Sequence, residues 1–197
     1  MSVEGFSPTV LPLGDPRLRV VAARVEDVSD PVLQREVNAL MDALARFRET
    51  RGFGRGISAP QIGIAKRFLV LDLGEGPFVL INPEIVWKSD EVFTMWDDCM
   101  SFPNLLVRLQ RHESVTVRYT SEEGELCEWS GLPRAESELL QHEIDHLDGI
   151  LAIDRADGEG SLVMRSVFDA TPAPYLDGVD YTIAPPAPSN RPPPATA

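Results

Sequence analysis

The chain has 197 residues, 43% of them hydrophobic and 25% charged, the balance and length of a single globular domain. Its 18 lysines and arginines face 31 aspartates and glutamates, a formal net charge of −13, which repels phosphate backbones and argues against a broad nucleic-acid surface. The longest apolar runs, such as Phe68 to Leu71, are too short to span a membrane, and MSVEGFSPTV lacks the basic flank and apolar core of a secretory signal.

The expected compartment is therefore the cytoplasm, where Cys99 and Cys127 serve as ligand or core residues rather than as a disulfide. In chain order, VLPLGDPRLRVVA is punctuated by Pro and Gly and reads as loop with short extended pieces. A helix follows. Asp30 suits the N-cap and Pro31 the first helical position, and Leu33, Val37, Leu40, Leu44 and Phe47 recur at helical spacing until Gly52 and Gly54 stop it. Short strands are predicted over 67–73, 78–81, 114–119 and 126–130, with turns at Gly74-Glu75-Gly76 and Glu123-Gly124.

A second helix is predicted from about Pro133 to Leu147, closed by Gly149. Leu140, Ile144 and Leu147 make its apolar stripe, with His142, Glu143 and His146 beside it and Glu138, Gln141 and Asp145 on a polar face. A helix with two occupied faces belongs inside the domain. The expected class is α+β, with short antiparallel strands and sheets packed around this central helix. After Asp169 the pattern dissolves. Residues 1–170 are expected to form the one folded domain, 171–184 a C-terminal extension, and 185–197 a Pro-rich, disordered tail.

The chemistry concentrates in Gln141-His142-Glu143-Ile144-Asp145-His146-Leu147. Histidines four apart project from one helix face and suit two imidazoles on one metal ion, with Glu143 placed to act as general base toward an activated water. The bland alternative is a helix with two surface histidines and a solvated glutamate. Against it, the chain has only 3 histidines and two of them make this pair.

A metal needs a third protein ligand, and a catalytic one also needs an open position. No histidine follows His146, and His112 sits upstream in Arg111-His112-Glu113, which reads as an exposed strand end. Cys99 is the attractive candidate, because a thiolate is a strong ligand for zinc or ferrous iron. Two other arrangements compete. A zinc endopeptidase would recruit Glu159 or another downstream carboxylate and leave Cys99 idle. A non-enzymatic metal protein would close the site with Cys99, Cys127, His142 and His146, although Cys127, alternating with Leu126 and Trp129, reads as core.

Three blocks together resemble the peptide deformylase family. They are Gly54-Arg55-Gly56-Ile57-Ser58-Ala59-Pro60-Gln61-Ile62-Gly63, then Asp97-Asp98-Cys99-Met100-Ser101-Phe102-Pro103, then the histidine helix. Gly14-Asp15-Pro16-Arg17-Leu18-Arg19 is also similar to the family's N-terminus, so the likeness runs from about Leu11 to Arg155.

The resemblance implies that Cys99, His142 and His146 hold one divalent ion, ferrous iron in the first place, with zinc or nickel able to replace it. Glu143 would take a proton from the attacking water and pass it to the departing amine. The Gln61 amide and the Met100 backbone N–H would meet the oxyanion. Gly56, flanked by Arg55 and Ile57, would let a peptide pair with the backbone as an added strand. The implied reaction removes the formyl group from N-formylmethionyl peptides of nascent proteins. The alternative within the family is a specialised deformylase or deacylase for another N-formyl or N-acyl compound.

The chain departs from the family pattern among the residues that shape or bind substrate. Asp97-Asp98 stands in place of Glu-Gly, Arg55 in place of an aliphatic residue, and Ser58 in place of alanine. Leu106 falls where many members have an arginine that grips the substrate backbone, and Arg108, two residues on, would share its strand face. The segment after Gly149 is acidic, with Asp154, Asp157, Glu159, Asp169, Asp177 and Asp180 beside Arg155 and Arg165. It lacks the basic helix with which some members dock on the ribosome, so any ribosome proximity must do without one.

Overall fold

Asp30 caps the first helix as its type and position predict. Its Oδ1 accepts the Val32 N–H at 2.8 Å, and Pro31 opens α1 (Pro31–Arg51). Gly52 closes the helix at φ 76°, a left-handed conformation that glycine adopts at low cost. The computed structural model describes residues 9–183, so the expected disorder of 185–197 lies outside the described residues.

Short strands follow: β1 (Gly56–Ser58), β2 (Phe68–Asp72), β3 (Pro77–Lys88), β4 (Val92–Asp98), β5 (Leu105–His112), β6 (Val115–Thr120) and β7 (Leu126–Trp129). Then come α2 (Arg134–Leu147), β8 (Leu162–Met164) and the short helices α3 (Arg165–Ala170) and α4 (Ala173–Leu176). The strands form two antiparallel sheets, one ordered β1-β2-β3-β6-β7 and the other β4-β5-β8. The α+β expectation holds, with α2 packed against strands of both sheets.

Alternation along β2 explains why that strand reads as unbroken apolar sequence. Leu69 and Leu71 join Leu140, Ile144 and Leu147 of α2, while Phe68 and Val70 join Leu33, Val37, Leu40 and Leu44 of α1. A strand covered on both faces has no side free for polar residues. Each such leucine or phenylalanine contributes about 1.5–3 kcal/mol on burial, which fixes α2 against the larger sheet.

The smaller sheet supplies the other wall, through Phe93, Met95, Val107 and Leu109 clustered with Cys99 and Phe102. Two features of this half differ from the sequence reading. The strands β4 and β5 lie where polar and charged residues obscure the alternation, and Arg111 is not at an exposed strand end. Its side chain is only 2% exposed and lies beneath α2. Among the described residues, no helix is long and apolar enough to cross a membrane.

Candidate metal centre

Every residue of α2 from Ser137 to Leu147 is buried, including those of its polar face. Burial of so many polar groups requires a partner for each. Gln141 clamps the end of β5, accepting the His112 N–H at 2.9 Å and donating to the His112 carbonyl at 3.0 Å. Asp145 accepts from Arg111 and from Arg155, each at 2.6 Å. Glu138 is paired with Arg55, which also donates to the Ala135 carbonyl at 3.0 Å. Burial pushes Glu138 up to about 7 against the pull of Arg55.

This anchoring brings His142 and His146 to the end of β4, where the chain turns through Cys99. Ligand atoms of Cys99, His142 and His146 all lie within 4.8 Å of one another, and all three residues are buried. The Cys99 Sγ is 3.3 Å from His146 Nε2. His142 Nδ1 lies 3.0 Å from Asp97 Oδ2, which also accepts from Arg111 at 2.9 Å. A carboxylate on Nδ1 fixes the ring and leaves the opposite nitrogen to act as a ligand.

The donor set fits a divalent transition ion: one thiol sulfur and two imidazole nitrogens, all buried, converge within 4.8 Å of one another. Without an ion, the two rings differ in their electrostatics. Burial opposes ionisation of Asp97, but His142 and Arg111 overcome it and hold the carboxyl well below the usual carboxylate range. Burial likewise opposes a charge on His142, yet Asp97 keeps the ring well above its ordinary value. Burial, reinforced by His142, pushes His146 well below its own.

Glu143 sits in the same cavity, of about 420 Å³, with His142, Gln61, Met100, Gly56 and Arg55 on its walls. Ser58 Oγ lies 2.7 Å from both Glu143 Oε2 and the Glu143 carbonyl oxygen, and its one proton serves either. Burial raises Glu143 above the usual carboxylate range, with His142 and Ser58 acting in the opposite direction. The Ser58 N–H donates to Gln61 Oε1 at 2.8 Å, which turns the Gln61 Nε2 toward Cys99 Sγ, 3.7 Å away. A Cβ on Gly56 would come 2.8 Å from Glu143 Oε1, so glycine makes room for the glutamate itself. Ile57 is fully buried, packs its side chain into the core beneath α1 and is not on the cavity wall.

Cys127 packs in the core with Tyr119 and Trp129, and Glu159 is exposed. Neither joins the metal-ligand cluster found among the described residues, so the endopeptidase and closed-site arrangements have no geometry behind them. His112 is also elsewhere, with its Nδ1 2.7 Å from the Ser89 carbonyl.

The model of the polypeptide deformylase family matches residues 8–161. The chain belongs to the peptide deformylase family. It is 38% identical over 154 residues to the peptide deformylase of Thermotoga neapolitana, covering 77% of this chain and 88% of that one. It is 42% identical over 146 residues to the peptide deformylase of Natranaerobius thermophilus, covering 73% and 88%. Among solved structures, the Thermotoga maritima deformylase superposes with a TM-score of 0.70 at 34% identity, covering 77% of this chain and 98% of that one. The Synechococcus elongatus deformylase in complex with actinonin gives 0.72 at 28% identity, covering 87% and 90%.

Within the deformylase frame, the unusual residues form pairs. Arg55 meets Glu138, Ser58 meets Glu143, and Asp97 meets His142 and Arg111. Asp98 accepts from Arg165 at 2.6 Å, and that guanidinium stacks on Phe53 with 4.8 Å to the ring centroid. Leu106 lies on the cavity wall and packs against Trp96 and Val163, beneath Phe168, Tyr175 and Val179. Arg108 is not on the cavity wall, and its guanidinium lies 3.4 Å from the Asp157 carbonyl. Arg111 is the residue that sequence reasoning missed. Its only signal was a cationic side chain alternating with Leu109 and Val107 along an otherwise apolar strand face.

Proposed function

We propose that the chain hydrolyses the formamide of N-formylmethionyl peptides, releasing formate and a free amino terminus, as a step in protein biosynthesis in the cytoplasm. The observation that carries this reading is the convergence of Cys99, His142 and His146, with His142 and Glu143 together on the wall of one cavity. We assign the three as ligands of one divalent ion, ferrous iron in preference to zinc or nickel. An ion held there supplies Lewis acidity and makes water a competent nucleophile near neutral pH.

The residues around that ion each have a task in amide hydrolysis. Glu143, buried and raised above the usual carboxylate range, takes a proton from the attacking water and delivers it to the amine nitrogen as the C–N bond breaks. Its oxygen is steered by Ser58 Oγ at 2.7 Å. Gln61, with its carbonyl end tied to the Ser58 N–H, offers Nε2 to the oxyanion, together with the Met100 backbone N–H. Arg55 and Gly56 on the wall, with the adjoining peptide group of Ile57, meet the substrate backbone.

The test uses anaerobically purified, iron-loaded protein and compares formyl-Met-Ala-Ser, a formylated simple amine and acetyl-Met-Ala-Ser. Formate release from the formyl peptide, with the acetyl peptide refused, is the expected result. Turnover confined to the simple amine would favour the specialised deformylase instead.

A further inference from the structure

Trp96, Asp97 and Asp98 of β4 line the cavity, and the outer edge of that strand is already in use. In the smaller sheet β4 pairs with β5 on one side only. On its other side Tyr181 bridges Met95 in parallel, the Asp180 N–H donates to the Thr94 carbonyl at 2.9 Å, and Asp180 Oδ2 accepts the Thr94 N–H at 2.8 Å. A parallel partner advances in the same direction as β4, toward Asp98 and Cys99. Thr182 and Ile183 accordingly stand on the wall of the cavity that holds His142 and Glu143. Ile183 packs with the cluster that contains Cys99, Met95 and Phe102.

The segment is held at two further points. The Arg134 guanidinium donates to the Asp180 carbonyl at 3.1 Å and lies over the rings of Phe93 and Tyr181, at 4.9 and 5.9 Å. Upstream, the Trp96 indole donates to the Tyr175 carbonyl at 2.6 Å, with Phe168 and Tyr175 packed on the same ring. These contacts come from residues beyond 161, where the family match ends.

An extended peptide gains affinity at a sheet edge by adding a strand, with main-chain hydrogen bonds as the source. We infer that residues 180–183 take the strand position on β4 that the backbone of a formyl-peptide would otherwise occupy, making the segment a length filter. The site then reads the formylated residue and gains nothing from those that follow it. This inference rests on the deformylase reading of the site.

The experiment measures kcat/KM on iron-loaded protein for formyl-Met and formyl-Met-Ala-Ser, in the full chain and in a chain ended at Val179. The full chain should show a tripeptide-to-monomer ratio within about threefold of one. The shortened chain should raise that ratio by about tenfold or more, because the vacated edge offers at least two backbone hydrogen bonds, while formyl-Met turnover stays within about twofold. If the shortened chain fails to fold by circular dichroism, the double variant Asp180→Ala, Tyr181→Ala replaces it with the same expected direction. A ratio unchanged by either variant, with formyl-Met turnover intact, overturns the filter, as does a full chain that already prefers the tripeptide by a hundredfold. A full chain that hydrolyses neither substrate overturns the deformylase reading and this inference with it.

Discussion

Replacing Gly56 with alanine adds one methyl group at the point where β1 meets the general base. The new carbon would lie 2.8 Å from Glu143 Oε1, 2.8 Å from Leu71 Cδ2 and 3.0 Å from Glu143 Cγ. Each contact is about half an ångström or more inside ordinary van der Waals separation, so both neighbours must move. Leu71 is fully buried in the core between the larger sheet and α2, which leaves Glu143 as the softer side. Overpacking of this kind costs about 1–3 kcal/mol of stability, and a shift approaching an ångström in a proton-transfer group costs about 10² in rate. We therefore expect Gly56→Ala to lower kcat for formyl-Met-Ala-Ser about a hundredfold, with Tm reduced and metal content unchanged. If glycine serves only to admit the substrate backbone, KM rises instead and kcat is kept. A folded variant with kcat within about threefold of the parent would refute the packing argument altogether.

Three further outcomes follow from the same geometry. Glu143→Gln should keep its metal by elemental analysis and lose about 10² or more in kcat, since an amide of equal size cannot accept the proton; near-normal turnover would require another base. Cys99→Ser should lose most bound metal while Cys127→Ser retains it, because only Cys99 lies with the two histidines; equal loss from both would contradict the assignment. Arg111→Met removes the cation shared by Asp97 and Asp145 and should cost about 3–5 kcal/mol in urea unfolding, whereas a loss below about 1 kcal/mol would show the pair to be satisfied by His142 and Arg155 alone.

What was legible in the sequence was local. The caps of α1 at Asp30 and Gly52 obey rules that act within four residues, and the spacing of His142 and His146 fixes their common face once the helix is granted. Tertiary partnerships were not legible. Asp97 with Arg111, Arg55 with Glu138, and Asp98 with Arg165 join residues on different elements, and each reads alone as a solvated charge. For the same reason α2 looked half polar, although folding buries that side beneath β5 and the Arg55 side chain. Leu106 was legible in part. Read as a position facing substrate, it does line the cavity, but it also packs in an apolar cluster with Trp96, Phe168 and Tyr175 that no local pattern announces. The strand β4 escaped notice, and β5 was read only in fragments around Arg108 and His112, because Asp97, Asp98 and Arg111 carry the charges of the site itself.

The most direct test of the account is formate release from formyl-Met-Ala-Ser by metal-stripped protein titrated anaerobically with ferrous iron. One set of three ligands predicts activity that rises linearly and breaks at one iron per chain. Full activity in the stripped protein, or a break at two irons, would contradict a single centre built from Cys99, His142 and His146.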